Sequence, residues 1–197
     1  KAGVIMRLLN EEFDGFKPAK MLDIGCSAGA ASAAYPAEWP DVEIHAVDLG
    51  AGMLRYAHAR AESLGVAVHF HQMDASDMRF EDESFDLVVS HNLMHEIGEE
   101  KRRAMIRESF RLVRPGGVVI HQDVAIRNQP TLVHEIERDW DTHFNGEVHW
   151  NTYATANLQA DMIAAGFPKD NVVEHDLSAL HGMANNRWYA ISGRKPL

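Results

Sequence analysis

Short apolar segments alternate with amphipathic ones from the start of the chain to about Asp123, and this alternation constrains the fold more than any other feature. Segments 87–89 and 118–120 are apolar at every position, which indicates strands with both faces buried. Strands of this kind lie parallel to one another between two layers of helices. The sequence therefore predicts an α/β fold: a three-layer, doubly wound, mostly parallel seven-stranded sheet with an antiparallel edge strand.

The predicted elements form consecutive βα units within one domain that covers residues 1–197. Helices are expected at 2–13, 27–35, 50–64, 99–113, 131–144 and 153–165. Strands are expected at 20–24, 42–47, 67–71, 85–90, 117–122, 171–175 and 187–192, with a turn-rich segment at 182–186. The segment after the fifth strand, residues 127–157, is expected to form a helical lid.

Charge and cysteine content narrow the classes of partner and compartment. The 19 Lys and Arg against 29 Asp and Glu give a net charge of -10, which argues against binding nucleic acid through a basic face. No apolar stretch approaches the roughly 18 residues of a membrane span, so no membrane contact is expected. Cys26 is the single cysteine, so an intrachain disulfide is impossible and a cytoplasmic location is expected.

The segment Leu22-Asp23-Ile24-Gly25-Cys26-Ser27-Ala28-Gly29 leads from a strand into a glycine turn. A dinucleotide-binding G-x-G-x-x-G motif would need glycine at Ser27, so a nicotinamide enzyme is not favoured. The sequence from Gly25 to Gly29 also matches G-x-S-x-G, the nucleophile elbow of a hydrolase with Ser27 as nucleophile. In hydrolases several strands precede this elbow, whereas here only one helix precedes its strand. In a third interpretation, the glycines let the backbone approach a ligand, and Asp48 after the second strand binds both hydroxyls of a ribose.

Five segments in register resemble the motifs of class I S-adenosylmethionine-dependent methyltransferases. They are residues 22–29, 47–53 (VDLGAGM), 72–75 (QMDA), 85–90 (FDLVVS) and 112–117 (LVRPGG). The resemblance covers residues 18–123, and the chain departs from the family at Ser27, where glycine is usual. It implies a Rossmann-like fold, S-adenosylmethionine as cofactor, S-adenosylhomocysteine as product and methyl transfer as the reaction.

The resemblance also implies which residues bind the cofactor. They are Asp23, Gly25, Cys26, Ser27, Gly29, Asp48, Leu49, Met53, Asp74, Ala75 and His91. Asp23 would orient the ammonium group of the methionine moiety, and Asp48 would hold the ribose hydroxyls. Asp74 would accept a hydrogen bond from the adenine amino group, and His91 would lie near the sulfonium.

Histidine is enriched in this chain, with 12 residues. His91, His95 and Asp123 are the candidate catalytic residues, because a histidine or carboxylate titrating near neutrality can take the proton of an acceptor. With Gln122, the same three could form a metal site of two histidines and one carboxylate. No metal is expected, however, because the resemblance implies that such histidines contact cofactor or substrate without one. The histidines expected to be surface or packing residues are His45, His58, His69, His71, His175 and His181.

This family builds its acceptor pocket from the segment after the fifth strand, so the lid at 127–157 is expected on the acceptor side. Candidate substrate contacts are Asn92, His95, His149, Trp150 and Tyr153. Residues 1–17 supply a single helix where many such enzymes have a longer helical cap. Either the cap was removed or the chain is a domain excised from a larger protein.

We therefore expect a cytoplasmic methyltransferase that acts on a small molecule or a carrier-bound acyl group, with the methylated atom (O, N or C) left open. The alternative is a methyltransferase-like domain that binds the cofactor or its product without turnover and serves assembly or regulation. Both hypotheses require the same cofactor-binding residues, so only turnover separates them. A Ser27 hydrolase, in contrast, would react with a serine-directed acylating probe.

Overall fold

The structure is a computed structural model that describes residues 2–124, 131–177 and 188–197. Its strands are β1 (Lys20–Ile24), β2 (Glu43–Asp48), β3 (His69–Gln72), β4 (Phe85–His91), β5 (Val113–Val124), β6 (Val172–Asp176) and β7 (Trp188–Arg194). They form one seven-stranded sheet in the order β3-β2-β1-β4-β5-β7-β6. Strands β1 to β5 are parallel, and β7 pairs antiparallel with both β5 and β6. The prediction of a mostly parallel seven-stranded sheet is confirmed, and the antiparallel strand lies one place in from the edge strand β6.

Helices cover both faces of this sheet. The α-helices are α1 (Ala2–Glu12), α2 (Ala51–Leu64), α3 (Glu99–Leu112), α4 (Leu132–Phe144), α5 (Trp150–Ala154) and α6 (Leu158–Ala165). Short 3-10 helices lie at Ser32–Ala37 and Lys169–Asn171. Within the described residues, no helix is long and apolar enough to cross a membrane.

Successive residues of each strand point to opposite helix layers, because strand side chains alternate. Met21 of β1 packs with Ile5 of α1 in one buried core. Leu22, the next residue, packs in the other core together with Met105 of α3. Two cores therefore fix the sheet between its helices, and the carboxyl ends of β1, β2, β4 and β5 meet at one edge, where open α/β sheets bind ligands.

Two predicted helices differ from the observed ones. Residues 27–35 were expected to be helical, but the structure has turns followed by the 3-10 helix at Ser32–Ala37, because Ser27 and Gly29 adopt positive φ values of 49° and 68° that an α-helix cannot contain. The helix expected at 153–165 is divided into α5 and α6. The side chain of Asn157 accepts a hydrogen bond from the Ala160 N–H and so starts a new helix.

Two predictions reach outside the described residues. The lid at 127–157 begins in the undescribed segment 125–130, and its described part contains α4 and α5. The turn-rich segment at 182–186 and His181 lie wholly outside the described residues.

Candidate active site

The loop after β1 folds back across the end of β2. The N–H groups of Gly25 and Cys26 donate to the carbonyl oxygen of Val47, at 2.8 and 3.0 Å. Gly25 adopts a φ of 70°, and a Cβ at this position would lie 2.8 Å from the side chain of Leu93. Glycine therefore suits both the backbone conformation and the close approach at this position.

Asp48, the last residue of β2, holds the loop from the other side. Its Oδ2 accepts a hydrogen bond from the Ser27 N–H and its Oδ1 from the Gly50 N–H, each at 2.8 Å. The carboxylate is thus oriented by backbone donors at the carboxyl edge of the sheet. Two apolar side chains next to it, Leu49 and Met53, are 65% and 45% exposed and offer a flat ligand two apolar contacts.

A cavity of about 120 Å³ lies against the same loop. Its lining residues are Asp23, Gly25, Cys26, Ser27, Ala28, Ala30, Ala31 and His91. Asp23 is buried, and its Oδ2 accepts a hydrogen bond of 2.6 Å from the Ser32 hydroxyl. The cavity thus combines backbone of a glycine loop with a carboxylate and an imidazole, which suits a small ligand with a cationic group.

Cys26 lies in this loop, and burial raises the pKa of its thiol well above the usual range, with the carboxylates of Asp23 and Asp48 adding to the effect. The thiol is therefore protonated at neutral pH and serves as a small apolar filler.

His91 is held by neutral groups on both ring nitrogens. Its Nδ1 lies 2.8 Å from Gln122 Oε1, and its Nε2 lies 2.7 Å from the Tyr35 hydroxyl. Burial, with the nearby charge of Asp23, raises the pKa of Tyr35 well above its usual value, so the phenol keeps its proton. Gln122 Oε1 can only accept, so the His91 proton is assigned to Nδ1, and the Tyr35 hydroxyl donates to His91 Nε2.

His95 is held by a carboxylate instead. Its Nδ1 lies 2.5 Å from Oδ1 of the fully buried Asp123, whose Oδ2 accepts the Met94 N–H at 2.7 Å. Burial by itself lowers the pKa of His95, but the hydrogen bond and charge of Asp123, with Glu96 and Glu147, outweigh it and raise that pKa. His95 and Asp123 form a dyad that can take up a proton and hold it.

The four residues of the disfavoured metal hypothesis, His91, His95, Gln122 and Asp123, do not come together. Gln122 and Asp123 are successive residues of β5 and point to opposite faces, so the pair Gln122–His91 lies on the α1 side and the pair Asp123–His95 on the α3 side. The ligand atoms that do converge near His95 belong to a different set, His95, Glu96 and Glu147.

Two of the candidate acceptor contacts, Trp150 and Tyr153, pack against a third, His95. The Trp150 ring lies edge-on to His95 at 5.9 Å, and the Trp150 Nε1 is buried without a hydrogen-bond partner among the described residues. Tyr153 is fully buried beneath His95, and its hydroxyl donates to the Val124 carbonyl at 3.1 Å. His149 is half-buried near Gly98, and Asn92 adopts a left-handed φ of 53° directly after β4.

Asp74 and Ala75 follow β3 at the same edge of the sheet. The Asp74 Oδ1 accepts hydrogen bonds from the N–H and hydroxyl of Ser76, and its Oδ2 forms an ion pair with Lys101. The Lys101 hydrogen bond, with those from Ser76, lowers the pKa of Asp74 to about 2. Asp74 is therefore a charged acceptor at this edge, and a ligand there would share it with Lys101.

The Ser27 hydrolase has no support in the geometry. Ser27 is exposed, and within the described ranges no hydrogen bond joins its hydroxyl to a histidine. Sequence reasoning missed Ser32 and Tyr35, which contact Asp23 and His91 from the 3-10 helix. Their spacing of three residues just after the glycine loop is a signal that could have pointed to them.

The family match and two relatives found by comparison with known proteins all name methyltransferases. Residues 21–117 match a family described as a methyltransferase domain. Over 159 residues the chain is 33% identical to the malonyl-[acyl-carrier protein] O-methyltransferase of Methylococcus capsulatus, a match that covers 79% of this chain and 54% of that protein. Over 104 residues it is 34% identical to phosphoethanolamine N-methyltransferase 1 of Arabidopsis thaliana, covering 53% of this chain and 21% of that protein. The chain spans about half the length of the first relative.

A solved structure shows the same fold. The phosphoethanolamine N-methyltransferase 2 of Haemonchus contortus, in complex with phosphomonomethylethanolamine and S-adenosylhomocysteine, superposes with a TM-score of 0.74 at 18% identity. The superposition covers 98% of this chain and 53% of the other. At this identity the likeness establishes the shared fold alone.

Proposed function

Because the chain belongs to the class I S-adenosylmethionine-dependent methyltransferases, we propose that it transfers a methyl group from S-adenosylmethionine to a small-molecule or carrier-bound acceptor. The observation that carries this proposal is the juxtaposition at one sheet edge of the glycine loop, the oriented carboxylate of Asp48 and the His95–Asp123 dyad. Cofactor-side and acceptor-side groups thus face the same edge.

The residues around the cavity fit the amino-acid end of S-adenosylmethionine. When bound, this cofactor supplies an electrophilic methyl group on a positively charged sulfur. Asp23 offers a buried carboxylate for the ammonium group, and the loop that contains Gly25 offers backbone without a side chain in the way. His91 forms the wall next to these groups, held in one orientation by Tyr35 and Gln122.

The nucleoside end fits the neighbouring surface. Each oxygen of Asp48 accepts one backbone hydrogen bond and keeps a further lone pair, so the carboxylate can also accept from two ribose hydroxyls. Leu49 and Met53 would flank the adenine, and Asp74 with Ala75 would bind its polar edge. Lys101 must then share or release Asp74.

His95 acts as the general base in this proposal. The acceptor gives its proton to His95 Nε2, while Nδ1–H stays bound to Asp123, which stabilises the positive charge that forms on the ring. Trp150 and Tyr153 exclude water from one side of the imidazole. Methyl transfer needs alignment more than a strong base, so the dyad contributes by removing the proton as the nucleophile attacks.

The names of the relatives support a proposed class of acceptor. Their names specify a malonyl group on a carrier protein and phosphoethanolamine, so we propose an acceptor that is a small molecule or is presented by a carrier protein. The part of 127–157 that contains α4 and α5 would cover this acceptor. Both acceptors serve as probes in the test below.

Titration calorimetry with S-adenosylhomocysteine tests the cofactor site. Asp48→Ala should weaken binding about 10-fold or more, because a hydrogen bond to a charged group contributes about 1.5–3 kcal/mol. The matched control is Asp41→Ala, which removes an exposed carboxylate just before β2 and should leave the affinity unchanged.

Transfer of label from methyl-labelled S-adenosylmethionine to a malonyl thioester or to phosphoethanolamine tests turnover. If wild type transfers label to either acceptor and His95→Gln does not, the result supports the proposed methyltransferase activity. Nucleoside binding without label transfer to any acceptor would favour the non-catalytic binding domain. Failure to bind either S-adenosylmethionine or S-adenosylhomocysteine would exclude both the methyltransferase and the non-catalytic binding domain.

A further inference from the structure

Four metal-ligand side chains lie together on the sheet, away from the candidate active site. Glu43 and His45 alternate along β2, and His69 and His71 alternate along β3, so each pair projects from one face of its strand. The parallel register places His45 directly beside His69. All four side chains therefore share one face of two adjacent strands.

The contacts within this cluster are short. His45 Nε2 lies 2.7 Å from Glu43 Oε1, and His45 Nδ1 lies 3.0 Å from His71 Nε2. The rings of His45 and His69 stack with their centroids 4.9 Å apart. One ligand atom each from Glu43, His45 and His69 lies within 4.8 Å of the other two. Tetrahedral Zn²⁺ ligands lie about 3.3 Å apart, so small movements of the exposed Glu43 and His69 suffice.

We propose that Glu43, His45 and His69 bind a divalent transition-metal ion such as Zn²⁺, with His71 as a positioning residue. The ion takes the place of the proton that His45 shares with Glu43. Before the ion binds, His45 and His71 each carry their proton on Nε2. When it binds, each proton moves to Nδ1 of the same ring, so no net proton is released. His45 then donates its Nδ1–H to His71, which is the usual second contact of a metal-bound histidine.

The charges of the cluster suit a cation. Burial lowers the pKa of His45 and that of His71 below the usual value, so both rings are neutral near pH 7. Hydrogen bonds from His45 and Lys20 lower the pKa of Glu43 to about 2, so its carboxylate is charged. Phe80 and Phe85 contact the His45 ring edge-on, which restricts its rotation and preorganises a ligand.

Lys20 is a competing cation at this site. Its Nζ lies 3.0 Å from the same Glu43 oxygen that His45 contacts. The side chain is partly exposed, so it can move into solvent when an ion binds. Removal of this charge should therefore tighten metal binding, an effect that nonspecific adsorption to surface histidines would not show.

The proposed metal site is separate from the proposed cofactor site. Along β2, the proposed ligands His45 and Glu43 precede Asp48 by three and five residues, about 10 and 16 Å along an extended strand. An ion bound by Glu43, His45 and His69 would join β2 to β3, a four-residue strand at the edge of the sheet. Its expected role is to fasten this edge strand, so metal binding should raise the thermal stability independently of methyl transfer.

Calorimetric titration of untagged, metal-stripped protein with Zn²⁺ tests the proposal, and Co²⁺ provides a visible spectrum of the bound ion. One ion should bind per chain. His69→Ala should abolish this binding, and Glu43→Gln should weaken it. His71→Phe should weaken it about 10-fold, the usual effect of removing a group that orients a metal ligand. Lys20→Met should strengthen it.

Two controls distinguish this site from other histidines. His58 on α2 lies 3.4 Å from Glu62, an exposed histidine–carboxylate pair with no third ligand in the part of the chain that the structure describes, so His58→Ala should leave binding unchanged. His95→Ala removes the other group of possible ligands and should also leave it unchanged. Thermal unfolding with a chelator present checks that each variant folds. Equal binding by wild type and His69→Ala, loss of binding in His95→Ala, or no binding by wild type would overturn the proposal.

Discussion

Gln122 and Asp123 are adjacent residues, yet they give two histidines different chemistry. His91 lies between the neutral groups of Gln122 and Tyr35, which fix its orientation without favouring an added proton. His95 faces the buried charge of Asp123, which favours the protonated ring. At the residue scale, therefore, His95 is the histidine suited to proton transfer, and His91 is suited to shaping the cavity.

The pH dependence of methyl transfer tests this assignment. A general base must be unprotonated, so kcat/KM should rise with pH and level off above the raised pKa of His95. Asp123→Asn should shift this rise to lower pH, because it removes the charge that raises the pKa. His95→Gln should remove the rise and lower kcat about 100-fold or more. Initial rates of label transfer across the pH range measure both effects.

The affinity for S-adenosylhomocysteine is the control for these two variants. It should match that of wild type, since neither side chain lines the proposed cofactor cavity. An unchanged pH profile in Asp123→Asn would show that another group accepts the proton.

Single residues also show where sequence reasoning reaches its limit. Asp48 and the glycine loop could be predicted because their positions relative to strand ends follow from chain order alone. The pairing of His91 with Tyr35 could not, because it depends on a 3-10 helix that two positive φ values start at an unexpected place. The disfavoured metal site of His91, His95, Gln122 and Asp123 is not assembled, because strand alternation separates Gln122 from Asp123.

At the scale of elements, the helices and strands with a strong periodic pattern of apolar residues were predicted most accurately. The strand β4 and the helix α3 lie within one residue of their predicted ends, because each buries a continuous run or a regular stripe of apolar residues. The segment after Gly25 has no such stripe. Its path depends instead on Gly29, which adopts a φ of 68° where the loop passes α2.

Gly29→Ala should disturb the packing of the loop against α2. A Cβ at Gly29 would lie 2.9 Å from the Ala57 Cβ and 3.3 Å from Phe70 Cζ, in a backbone conformation that costs about 1–2 kcal/mol for an alanine. We expect a loss of about 2–3 kcal/mol in the free energy of unfolding, because close contacts add to this strain. Affinity for S-adenosylhomocysteine should fall as well. Urea unfolding and calorimetry measure the two losses.

Gly65→Ala is the matched control. Gly65 ends α2 with a φ of 67°, and a Cβ added at this position would have no packing neighbour within 4 Å among the described residues. This variant should incur the backbone cost alone and leave the affinity for S-adenosylhomocysteine unchanged. An equal loss in the free energy of unfolding in the two variants would show that the close contact with Ala57 does not destabilise Gly29→Ala.

At the scale of the whole molecule, the sheet buries a histidine at its centre. His121 of β5 lies between β4 and β7 and is fully buried. Its Nδ1 lies 2.8 Å from the Ser90 hydroxyl, and its Nε2 has no hydrogen-bond partner among the described residues. Burial lowers the pKa of His121 to about 4, so the folded protein keeps this ring neutral at moderately acidic pH.

The free energy of unfolding should therefore fall as the pH falls. Above about pH 6.5, His121 is neutral in both the folded and the unfolded chain. Between that value and pH 4, only the unfolded chain binds the proton, so stability decreases by up to about 1.4 kcal/mol per pH unit, or about 3 kcal/mol in all. His121→Asn keeps a polar group near Ser90 and removes this titration.

Urea unfolding at a series of pH values compares the two proteins. The variant should be less stable than wild type at neutral pH, because the smaller side chain leaves a cavity. Its stability should fall less steeply on acidification, so the two curves should converge towards pH 4. The unfolding free energy of the variant will still decrease somewhat as the pH falls, because burial also lowers the pKa of His45, His71 and His175. Parallel curves would show that His121 gains its proton in the folded state as readily as in the unfolded chain.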